Sequence, residues 1–201
     1  MAAGPAPTGV VTPARSPRNA SYAIDARLDP ATRTLTASEI ITWRNITANP
    51  TSELQFHTYW NAWRDTRSTF LREQALDRRQ SYAEDAFAKL TVTALRVSLL
   101  GADGSPLSAD GAPLPTVDLT GQSSFIAPDD RNIDDATVLR VGLPAAVPPG
   151  GSARIELTWT ARVPKPFART GVIDNFYFLA QWFPKLGVLE DRGWNCHQFH
   201  A

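Results

Sequence analysis

Residues 152–163, SARIELTWTARV, decide the fold class. Ile155, Leu157, Trp159 and Ala161 alternate with Arg154, Glu156, Thr158 and Thr160. Successive side chains on a strand point to opposite faces, so a period of two buries one face and wets the other. That is the pattern of an antiparallel sheet laid on a core. Val147-Pro148-Pro149-Gly150-Gly151 before it and Pro164-Lys165-Pro166 after it punctuate the strand at both ends.

Working outward, residues 136–143 (ATVLRVGL) form the strand before that turn. Ser21–Leu28 alternates Tyr22, Ile24, Ala26 and Leu28 against polar or small residues, and the turn Asp29-Pro30-Ala31-Thr32 leads into Thr34–Asn45. The two read as a hairpin of long strands. The second has an apolar face of Leu35, Ala37, Ile41 and Trp43 broken by Glu39, which predicts a wet patch or an arginine partner there. Glu53–Trp60 is a third strand, with Leu54, Phe56, Thr58 and Trp60 on one side and His57 on the other, where no partner for it is visible. Lys89–Leu100 alternates with a slip near Ala94–Leu95, where a bulge would restore register. Pro115–Asp118 and Ser123–Ile126 read as short strands. Residues 68–79 change period: Phe70, Leu71, Ala75 and Leu76 suggest a helical stripe, with Ser68 as its N-cap. The expected class is mostly β: a saddle-like or sandwich arrangement of antiparallel or mixed sheet with one short helix. Residues 1–20, rich in Pro and Ala, read as a disordered lead-in, and 21–201 as one β-rich domain.

Composition narrows the function classes. The chain has 201 residues and a hydrophobic fraction of 43%, enough for a core without crosslinks. Twenty basic and twenty acidic residues cancel, which gives no electrostatic footprint for nucleic acid. No apolar run reaches the roughly 18 residues of a membrane span. A single cysteine excludes an internal disulfide and leaves the compartment open between cytoplasmic and periplasmic or secreted.

The sequence carries few motifs of catalytic type. No G-x-S-x-G elbow, phosphate loop or H-E-x-x-H occurs. Cys196, His197 and His200 are neighbours of metal-ligating type, but adjacent residues on an extended strand face opposite ways, which opposes joint ligation. Residues 129–135 (DDRNIDD) have spaced acids yet lack the Gly and closing Glu of a calcium loop. No metal site and no catalytic residue is assigned within the chain. Between Asp174 and His200 the chain concentrates Phe176, Tyr177, Phe178, Trp182, Phe183, Trp194 and Phe199. Such residues either anchor a core or line a binding surface.

In order, Tyr22–Asp29 (YAIDARLD), Leu35–Asn45 (LTASEIITWRN), Leu54–Ala62 (LQFHTYWNA) and Ala180–Lys185 (AQWFPK) with Gly193-Trp194-Asn195 and His197 resemble the N-terminal domain of the aminopeptidase N family of zinc metallopeptidases, the gluzincins. The resemblance covers residues 22–62 and 171–201. It implies a non-catalytic β-rich domain that packs on the catalytic domain of the same parent chain and helps form its peptide-binding cleft. Zinc, and peptide-bond hydrolysis by an aminopeptidase, would belong to that absent domain, so this chain is expected to be a fragment that is inactive alone. The resemblance further implies Gln181 as a contact to a peptide substrate's amino end. Trp182 and Trp194 would be flanking substrate-binding residues, and some of Phe178, Trp182, Phe183 and Trp194 would face the absent domain. The alternative expectation is a free-standing β-sandwich binding module, for example for carbohydrate, with Trp60, Trp63, Trp182 and Trp194 as stacking platforms.

Overall fold

A computed structural model describes residues 18–77, 81–109 and 111–201. In chain order its strands are β1 (Ala20–Asp29), β2 (Thr34–Arg44), β3 (Thr51–His57), β4 (Lys89–Leu100), β5 (Ser108–Ala109), β6 (Ala112–Pro113), β7 (Val117–Asp118), β8 (Ser123–Ile126), β9 (Val138–Val147), β10 (Ser152–Arg162), β11 (Gly171–Ile173), β12 (Phe176–Phe178), β13 (Lys185–Leu186), β14 (Val188–Glu190) and β15 (Gly193–Asn195). The α-helix among the described residues is α1 (Thr69–Asp77). Most of the expected lead-in, residues 1–17, lies outside the described residues, as do Arg78 and Arg79 of the expected helix.

One sheet has the order β1-β2-β10-β4-β7 and the other β13-β3-β9-β8, and their pairs are antiparallel. The inner faces share one core: Leu35, Ile41, Trp43, Ile155, Leu157 and Trp159 from the first sheet meet Leu54, Phe56, Leu139 and Val141 from the second. This is a mostly-β, sandwich-like fold with a single short helix among the described residues.

The decisive strand β10 lies in the middle of its sheet, and Ala153, Ile155, Leu157, Trp159 and Ala161 are buried as its alternation requires. The slip expected in β4 is a bulge: Thr158 faces Ala94 while Trp159 faces Val92, which leaves Thr93 as the extra residue.

Two expectations change. The third strand ends at His57, and Tyr59–Trp63 wind into a 3-10 turn that still buries Trp60 and Trp63. Ser68 caps α1 as expected, since the Leu71 amide donates to its Oγ at 3.3 Å. Only the first turn packs inward, however: Phe70 and Leu71 are buried while Ala75 and Leu76 are exposed. Five positions rotate about 140° around a helix, so Ala75 could not share the face of Phe70.

The Glu39 expectation is also corrected. Glu39 is 1% exposed and forms no ion pair with an arginine among the described residues. Its Oε2 accepts from Trp159 Nε1 at 3.0 Å, and its Oε1 has no hydrogen-bond partner among the described residues. Burial pushes this carboxyl from 4.5 up to about 7, against the lowering effect of the Trp159 hydrogen bond.

Candidate functional site

A cleft of about 460 Å³ opens where β3 runs into the 3-10 turn and the aromatic segment returns along it. Its walls are His57, Tyr59, Gln181, Phe183, Lys185, Leu186 and Val188. Backbone pairing of β13 with β3 sets Lys185 opposite His57 and Leu186 opposite Phe56. Gly187 follows, its amide donating to the Gln55 carbonyl at 2.8 Å. A Cβ there would come within 3.0 Å of the Cys196 side chain, so the glycine lets the chain end close against β3.

The rim is anchored from below. Trp60, fully buried, donates Nε1 to the Ala180 carbonyl at 2.9 Å, and the Ala180 amide donates to Thr170 Oγ1 at 3.3 Å. These bonds fix the residue just before Gln181, which has φ 53° and an exposed side chain. A left-handed conformation costs a non-glycine residue about 1 kcal/mol or more, and such strain concentrates at functional positions. Beside Phe183, Trp182 packs tilted on Trp159 with ring centroids 5.6 Å apart, and Tyr22 meets Phe183 edge-on at 5.7 Å. The Leu186 amide donates to Tyr22 Oη at 3.2 Å. The buried Glu39–Trp159 bond therefore underlies the aromatic wall of the cleft.

His57 does have a partner: its Nδ1 lies 3.5 Å from Cys196 Sγ. Burial lowers the imidazole to about 4, helped by the positive charge of Lys185. Burial, with the negative charge of Asp129, pushes the Cys196 thiol up to about 12. Both groups are neutral near pH 7, so this is not the thiolate–imidazolium pair of a cysteine nucleophile. The two residues lie 139 positions apart, and no local motif signals their meeting.

Cys196, His197 and His200 diverge. The thiol turns in towards His57, while His197 Nδ1 lies 2.6 Å from Asp129 Oδ1. His200 bridges Glu73 Oε1 at 2.7 Å and Asp129 Oδ2 at 3.2 Å. Gln198 between them is buried, donating its backbone amide to Asp129 Oδ2 and its side-chain amide to Thr69 Oγ1 and Asp130 Oδ1. The acids of residues 129–135 thus tie the chain end to α1. Desolvation raises the Asp129 carboxyl, but hydrogen bonds from His197, Gln198 and His200 more than offset it and hold it below 3.8. The Glu73 hydrogen bond, and then that of Asp129, raise His200 above 6.5. The Asp129 contribution is lost as pH falls below that carboxyl range, and the His200 contribution is lost as pH rises through its elevated value. Stability from this clasp is therefore greatest between about pH 4 and 6.5. Asp129→Ala is expected to cost about 2 kcal/mol by removing several charge-assisted bonds, and to speed amide hydrogen exchange at residues 197–201. Unchanged exchange there would show that the clasp holds nothing.

Of the expected site residues, Gln181 lines the cleft and Trp182 stands half-buried beneath it. Trp194 is elsewhere, tilted on Trp43 at 5.8 Å with its Nε1 donating to Thr51 Oγ1 at 3.1 Å. Trp60 and Trp63 are 0% and 2% exposed, which removes them as stacking platforms. Sequence reasoning missed Tyr59 and Lys185 as cleft residues. Outside the cleft, β11 and β12 turn Val172 inward and leave Ile173, Phe176 and Phe178 exposed, so Phe178 is the one residue exposed among the four expected to face another domain.

The fold and cleft define a β-sandwich domain. No family model matches the chain, and no curated protein matches it. Among solved structures, a family 3a carbohydrate-binding module from the cipA scaffolding of Clostridium thermocellum is similar at 11% identity and TM-score 0.28, over 83% of this chain and 89% of that one. A likeness that distant fixes no ligand. The expected description as a metallopeptidase or aminopeptidase, a zinc hydrolase acting in proteolysis, is corrected. Among the described residues no group of three or more His, Cys, Asp or Glu could hold a metal ion.

Proposed function

We propose that the chain is a non-catalytic β-sandwich binding module that holds a saccharide in the cleft between His57, Tyr59, Gln181, Phe183, Lys185 and Val188. The observation that carries this reading is Gln181: an exposed amide in a strained backbone conformation, beside the half-buried rings of Tyr59 and Phe183. A volume of about 460 Å³ suits a sugar unit or two. Aromatic faces pack against the C–H faces of a sugar ring, while amide, phenol and ammonium groups meet its hydroxyls. Neither the Gln181 amide nor the Tyr59 hydroxyl has a hydrogen-bond partner among the described residues, so both can serve a ligand. A glycan screen should find a ligand whose affinity falls about tenfold in Gln181→Ala, the loss of one or two well-placed hydrogen bonds. Binding unaffected by Gln181→Ala and by Tyr59→Ala would move the ligand out of the cleft and end this reading.

A second reading is favoured by a separate observation. Ile173, Phe176 and Phe178 are 60%, 66% and 55% exposed on one face of the β11–β12 hairpin. Contiguous exposed aromatics mark docking surfaces. On this reading the domain packs on another folded domain and helps line a peptide-binding cleft. A screen in which no glycan binds while a peptide protects Gln181 would favour it.

A further inference from the structure

The cleft carries one cation and no counter-charge. Lys185 is exposed on its wall, and its ammonium forms no ion pair or hydrogen bond among the described residues. Among the described residues no carboxylate lines the cleft. The acid that acts on Tyr59 is Asp129, already engaged by His197, Gln198 and His200. His57, opposite Lys185 in the strand pairing, is held neutral by burial and by that same ammonium. The Tyr59 hydroxyl, its ionisation suppressed by burial and by the negative charge of Asp129, remains a donor. The cleft therefore offers an ammonium, a phenolic donor and an amide around two aromatic rings, and no fixed negative charge. A neutral sugar would leave the ammonium without an anion. A ring bearing a carboxylate would engage it and still pack on Tyr59 and Phe183.

We infer that the cleft selects an acidic saccharide, one containing a uronic acid, through Lys185. This rests on the saccharide reading above and adds the class of ligand and the residue that chooses it. Partly exposed charge pairs are screened by salt, so the selectivity should fade as ionic strength rises.

The test titrates the full chain with oligogalacturonate and with the neutral galactose oligosaccharide of the same length, at low and at high salt. The acidic sugar is expected to bind roughly tenfold tighter at low salt, the scale of one charge-assisted hydrogen bond. Lys185→Met should bring its affinity down to that of the neutral sugar, and Lys185→Arg should keep most of the preference. Lys185 is exposed and its strand pairs through the backbone, so both variants should fold. Equal binding of the two sugars would overturn the inference and leave the saccharide reading standing. An acid preference untouched by Lys185→Met would also overturn it. Binding of neither sugar, here and across a wider glycan screen, would end both.

Discussion

Replacing Glu39 with Gln is expected to flatten the stability–pH profile of this domain between pH 4.5 and 7. In the folded chain the carboxyl is buried among strand residues, accepts one bond from Trp159 and is raised from 4.5 to about 7. A carboxyl that titrates higher when folded binds its proton more tightly in the native state. Its favourable contribution is therefore complete below pH 4.5 and drains away as pH climbs through about 7. The gap between 4.5 and about 7 corresponds to about 3 kcal/mol, a large share of a marginal domain's stability. Glutamine keeps the shape and an oxygen to accept the Trp159 bond but does not ionise. Urea unfolding at pH 4.5, 6 and 8 should show the parent losing about 3 kcal/mol across the series beyond any loss in Glu39→Gln. Parallel profiles for the two proteins would mean that the carboxyl is not desolvated as the sandwich places it.

Trp60→Ala should be the most damaging single change to the cleft. The side chain is fully buried in the 3-10 turn and fastens the Ala180 carbonyl. Truncating a buried tryptophan costs about 4 kcal/mol through lost burial and the cavity left behind. Releasing Ala180 should also free Gln181 from its left-handed conformation and weaken ligand binding in whatever protein still folds. Trp60→Phe separates the two effects: it keeps most of the packing and loses only the Nε1 bond. It should cost about 1–2 kcal/mol in urea unfolding yet lose most of the Gln181-dependent affinity. If Trp60→Phe binds like the parent, the bond to Ala180 does not position the rim.

The strands were legible where burial is one-sided. β2, β4 and β10 alternate because one face meets the core and the other meets water, and even the bulge at Thr93 showed as a slip in that rhythm. α1 was legible at its cap, Ser68, but not in its extent, because only Phe70 and Leu71 reach the core and the residues after them face outward. The buried Glu39 read as a wet or arginine-paired position because sequence shows a charge and not its protonation. Its hydrogen-bond donor, Trp159, comes from a strand 120 residues away, and burial rather than any local residue raises its carboxyl. The cleft was half legible. Gln181 was singled out only through the family resemblance of its segment, and Tyr59 and Lys185 are ordinary residues locally that line the cleft only when β13 pairs with β3. The aromatics of the last thirty or so residues divided between the two roles open to them: Trp182 and Trp194 pack on core tryptophans, while Phe176 and Phe178 face solvent.

The most direct measurement is amide and side-chain chemical-shift mapping of the labelled chain during titration with an oligosaccharide. The largest saturable changes should fall on Gln181, Tyr59, Phe183, Lys185 and Val188, with the Ile173–Phe178 hairpin quiet. Saturable changes confined to the hairpin, or none anywhere across neutral and acidic sugars, would contradict a saccharide site in this cleft.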